Sequence, residues 1–116
     1  MINGAHVVLY SKDPDADRAF FSEVLGFASV DAGHGWLIFA LPPAEAAFHP
    51  AQETAHELFF MCDDLPAELA SLARKKVVCS EVQEARWGSI VKMRLPGGGH
   101  VSMYQPKHPT AIGKPP

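Results

Sequence analysis

The chain has 116 residues, enough for one domain with a real core. Hydrophobic residues make up 47% and charged residues 20%, ordinary values for a globular protein. The net charge of -3 and the scatter of ten basic residues argue against a nucleic-acid surface. No charged n-region followed by an apolar run marks a signal peptide, and no apolar stretch is long enough to span a bilayer.

In chain order, Ala5 to Tyr10 is a short apolar run around the β-branched pair Val7-Val8 and predicts a strand. Asp13 is placed to cap a helix opened by Pro14, whose missing N–H costs nothing there. Ala16, Phe20 and Val24 form its apolar stripe, widened by Phe21 and Leu25, and Gly26 supplies the stop. Phe27 to Val30 and Trp36 to Leu41 predict strands around the turn at residues 31–35, and Ala46 to Phe48 a short fourth one. The pattern then repeats. Glu57 to Cys62 predicts a strand, and Asp63, Asp64 and Pro66 start a helix with Leu65, Leu69 and Leu72 on one stripe. Lys75 or Lys76 ends that helix where glycine is expected, so a strained cap is predicted. Val77 to Cys79, Ser89 to Leu95 and Val101 to Tyr104 predict three more strands, with a turn at Pro96-Gly97-Gly98-Gly99.

The chain therefore reads as two β-α-β-β-β units, residues 4–50 and 55–106, within one domain of residues 1–106. Residues 107–116 read as an extended tail. The expected fold is α+β, a curled mixed sheet of eight strands around a cavity with the helices outside. Open sheet edges in so small a chain predict a homodimer. The repeat makes His6 and Glu57 equivalent, near the starts of two equivalent strands facing one cavity. Cys62 and Cys79 read as buried thiols of a reducing compartment, which makes the cytoplasm the expected location.

The string Phe20-Phe21-Ser22-Glu23-Val24-Leu25-Gly26-Phe27, with Ala5-His6-Val7-Val8-Leu9-Tyr10, Trp87-Gly88 and Pro96-Gly97-Gly98-Gly99, resembles the vicinal oxygen chelate superfamily. That superfamily includes glyoxalase I, extradiol dioxygenases and bleomycin-resistance proteins. The resemblance covers about residues 4–106. It implies four metal-ligand positions, of which His6 matches the first and Glu57 the third. The other two fall on Ala46 and Ser102, which supply no carboxylate. His49 lies near Ala46 at the wrong strand parity, and a β-bulge would bring it in.

Two readings of the cavity follow. In the first, His6, Glu57 and His49 hold a divalent metal (zinc, nickel, iron or manganese), with Glu57 as ligand or base in a lyase or dioxygenase reaction on a small organic molecule. In the second, His6 and Glu57 are a hydrogen-bonded pair lining a metal-free site that binds or sequesters a small molecule. Two protein ligands fall short of the three that catalytic zinc usually keeps, which favours the second. Trp36, Phe59, Trp87, Ser102 and Tyr104, with His6, are the expected ligand-lining residues.

Overall fold

The computed structural model describes residues 6–112. The first helix, α1, spans Pro14–Ala19, and the Ala16 N–H donates to the Asp13 carboxylate at 3.2 Å. Phe20–Val24 continue it as a π-helical turn, so Phe20 and Phe21 both face inward and are buried. Gly26, at φ 74°, ends the element in the left-handed region. Two short strands follow, β1 (Ser29–Asp31) and β2 (Leu37–Phe39), paired antiparallel. The Asp31 carboxylate shapes the turn between them by accepting the N–H groups of Gly33 and Gly35.

The second half holds most of the core. β3 is Phe59–Met61, α2 Leu65–Arg74, β4 Gln83–Ala85, β5 Gly88–Arg94 and β6 His100–Pro106. The sheet order is β3-β6-β5-β4. β3 runs parallel to β6, and the other two pairings are antiparallel. Asp64 caps α2 by accepting from the Ala67 N–H at 3.1 Å, and the Gln105 side-chain oxygen accepts the Leu65 N–H at 2.8 Å. At the other end Lys76 stands at φ 61°. The Val77 N–H reaches the Leu72 carbonyl and the Lys76 N–H the Ala73 carbonyl, both at 3.0 Å. That is a Schellman termination with lysine in the place of glycine, as the sequence predicted.

One face of the sheet is packed. Phe60, Val91, Met93, Val101 and Met103 lie against Leu65 and Leu72 of α2 and against Phe20 and Phe21. A ring cluster joins the halves: Phe21 lies 5.5 Å from Phe39 and 6.0 Å from Phe60, and Phe27 lies 5.4 Å from Phe60. Such ring contacts add to the burial itself.

The strand count differs from expectation. Residues 6–10 and Ala46 to Phe48 carry no ladder among the described residues, and Ala5 lies outside them. Both segments are exposed, Tyr10 at 96% and Phe48 at 98%. An apolar run makes strand geometry favourable, but a strand exists only where a partner offers hydrogen bonds. Val77 to Cys79 contribute only the isolated bridge of Cys79 to Met93. β4 was not foreseen, because Gln83-Glu84-Ala85 lacks an apolar alternation. The described sheets thus hold six strands, two and four, instead of one curl of eight. The expected tail is tethered over its described part. Lys107 pairs with Glu84 at 2.7 Å, His108 Nε2 lies 3.0 Å from the Tyr104 hydroxyl, and the Ala111 N–H donates to Glu45 at 2.5 Å.

Candidate functional site

Alternation along β5 and β6 decides which side chains leave the core. Val91 and Met93 are inside, so Lys92 and Arg94 occupy the other face. The register sets Lys92 against Ser102 and Arg94 against His100. Phe59 pairs with Ser102 across the parallel ladder. Two residues before Phe59, Glu57 stands at the mouth of β3, with the parity of that same face.

The extended segment of residues 6–12 passes beside this end of the sheet. Between them lies a groove of about 1000 Å³. Its walls include His6, Leu9, Glu57, Lys92, His100 and Ser102. A smaller cavity of about 280 Å³ adjoins it and shares Lys92 and His100, with Arg94 added. The helix side of the groove is closed by a tie between distant segments. Asp17 accepts the Ser11 hydroxyl at 2.6 Å and the Gly97 N–H at 2.8 Å. A Cβ at Gly97 would stand 2.5 Å from Ser11 Oγ and 2.7 Å from an Asp17 carboxylate oxygen, so a side chain there would push this tie aside.

Three of the expected site residues, His6, Glu57 and Ser102, therefore share the groove. The aromatic ones do not line it. Phe59, Trp87 and Tyr104 pack on one another with centroids 5.2 to 5.9 Å apart. His49 stands edge-on to Trp87 at 6.3 Å, and His108 stacks on Tyr104 at 5.9 Å. Burial, followed by the charge of Glu45, pushes the Tyr104 hydroxyl above its ordinary value. Trp36 lies elsewhere, under the Arg18 guanidinium at 4.7 Å. Sequence reasoning missed Lys92 and Arg94, although the period-two pattern Val91-Lys92-Met93-Arg94 carried the signal.

The donor set does not fit a divalent metal. Ser102 is buried to 7% exposure at a position where the resemblance implies a carboxylate, and it faces the ammonium-bearing Lys92 strand position. His49 is at the Trp87 cluster, and Ala46 offers no donor. Among the described residues no group of three or more His, Cys, Asp or Glu side chains is arranged to hold an ion. Among them, too, no helix is long and apolar enough to cross a membrane.

Comparison with known proteins places this geometry. Several solved structures share the fold. One is TnmS3, an antibiotic binding protein from Streptomyces sp. CB03234, at 22% identity and TM-score 0.64, covering 92% of this chain and 100% of that one. Another is a lactoylglutathione lyase from Agrobacterium tumefaciens, at 20% identity and TM-score 0.63, covering 89% and 92%. A third is a glyoxylase/bleomycin resistance protein/dioxygenase domain from Frankia sp. EAN1pec, at 17% identity and TM-score 0.64, covering 92% and 99%. A search of curated proteins finds no matching relative. The family model of the Glyoxalase/Bleomycin resistance protein/Dioxygenase superfamily matches residues 4–78, and with the fold and the groove described above the chain belongs to that superfamily.

Proposed function

We propose that this protein binds and holds a small organic molecule in the groove at His6, Glu57 and Ser102, without a metal. The observation that carries the reading is Ser102 in a carboxylate's place, with Lys92 opposite it on β5. A dication needs several anionic or neutral donors converging on one point, and a facing ammonium group opposes it. A lyase or dioxygenase reading, with Glu57 as base or ligand, would need a third donor at the groove. His56, His100 and Asp17 also line the groove, but among the described residues no three His, Cys, Asp or Glu side chains converge to hold an ion. An antibiotic binding protein of the same fold adds support for a binding role.

The active unit in this reading is a homodimer. Val8 and Tyr10 are exposed apolar residues of the 6–12 wall, and residues 6–10 carry no strand ladder among the described residues. A second copy would pair that backbone and cover those side chains. The two-copy organisation of residues 4–50 and 55–106 belongs to the same proposal, since both helices begin with an aspartate cap and an early proline.

Metal content tests the first part. Protein purified without chelator or affinity metal is dialysed against zinc, nickel, iron or manganese. Substoichiometric metal is expected, unchanged in His6→Ala and Glu57→Ala. Stoichiometric metal that disappears in both variants would overturn the reading.

A further inference from the structure

We propose that the groove takes a small organic anion, its acid group held at Lys92 and at Arg94 of the adjoining cavity and its apolar body lying along Val7 and Leu9. This rests on the binding reading above and adds the charge of the ligand.

Lys92 and Arg94 are consecutive outward positions of one strand, so both cations emerge on the same face. Neither belongs to an ion pair: among the described residues the pairs are Arg18–Asp15 and Lys107–Glu84. Lys92 and His100 line both cavities, and Arg94 lines the smaller one that adjoins the groove. Among the described residues neither groove carboxylate forms an ion pair with Lys92 or Arg94. Asp17 is engaged by Ser11 and Gly97. Glu57 belongs to the β3 side, and β6 with Ser102 lies between it and Lys92. The β5 side of the groove therefore carries Lys92, with Arg94 next to it in the adjoining cavity, and Lys12 is a third cation on the 6–12 segment.

An acid group is the chemistry that side accepts, through charge-assisted hydrogen bonds from Lys92 and a two-pronged guanidinium at Arg94. The remainder of the groove sets the body of the ligand. Val7 and Leu9 on one wall and Leu58 on the other offer apolar surface.

The test is calorimetric titration of the full chain with three matched probes: 2-naphthoate, 2-naphthylmethanol and 2-naphthylmethylammonium. Naphthoate is expected to bind about tenfold more tightly than the alcohol, the usual scale of one charged hydrogen bond. High salt should shrink that preference. Lys92→Met should remove most of it while leaving the alcohol's affinity within about twofold. Arg94→Met is a second variant on the same exposed face, and circular dichroism checks that both fold. Equal binding of the alcohol or the ammonium probe, or a preference that survives both substitutions, overturns the proposal alone. Failure of all three probes to bind overturns the binding reading and the proposal with it.

Discussion

Lys76 pays a local conformational cost so that α2 can end where it does. Its φ of 61° is a conformation in which a Cβ crowds the following carbonyl, and only glycine enters it freely. Lys76→Gly should therefore stabilise the fold by about 0.5–1 kcal/mol, read as a higher urea midpoint with unchanged slope. Gly88 presents the opposite case. A Cβ there would stand 2.7 Å from Tyr104 Cδ2 and 2.8 Å from the Gln105 carbonyl oxygen, and β6 backbone cannot yield. Gly88→Ala should cost about 1–3 kcal/mol by the same measurement. The thiols add a pH dependence. Burial raises both Cys62 and Cys79 above the ordinary value of 9.0, with Glu68 adding to the effect at Cys62. The folded chain then holds these protons more tightly than the unfolded one. Their contribution is complete below the unfolded value and is lost as pH rises through the folded values. Stability should fall on the alkaline side of about pH 8.5, and Cys62→Ala with Cys79→Ala should flatten that fall.

Among the elements, the tie of Asp17 to Ser11 and Gly97 joins α1 to the β5–β6 turn across 80 residues of sequence. Asp17→Ala should leave the Gly97 N–H and the Ser11 hydroxyl without their acceptor and cost about 1–3 kcal/mol. Faster hydrogen exchange confined to the 96–99 turn would show that the loss is local; unchanged exchange there would refute the tie. Both helices were legible in the sequence because their signals are local: Asp13 and Pro14, Asp64 and Pro66, Gly26. The strands were legible only where apolar alternation met a partner, as in Gly88–Arg94. The 6–10 and 46–48 runs have the composition of strands, but composition says nothing about what lies alongside. The same holds for the site. His6 and Glu57 followed from the repeat and Ser102 from the resemblance, while Phe59, Trp87 and Tyr104 spend their faces on one another. Lys92 was overlooked because a single exposed lysine looks like solvent-facing charge until the register sets it opposite Ser102.

For the molecule as a whole, sedimentation should give twice 12.6 kDa at micromolar concentration if the 6–10 strip is covered by a second copy. A monomer would leave Val8 and Tyr10 in water and remove the dimer from the proposal. A Val8→Lys change should weaken self-association if a partner covers that strip, and leave sedimentation unchanged if none does. The parallel pairing of β3 with β6 carries a consequence for how the chain acquires its structure. β5 and β6 are neighbours in sequence and can zip together quickly, but β3 must close a loop of roughly forty residues to find β6. During synthesis β3 leaves the ribosome well before β6, its one sheet partner among the described residues, exists. Until residues 100–106 follow, Phe59 and Phe60 must wait without a ladder, which makes this interval the one in which a chaperone or an aggregate would meet the nascent chain.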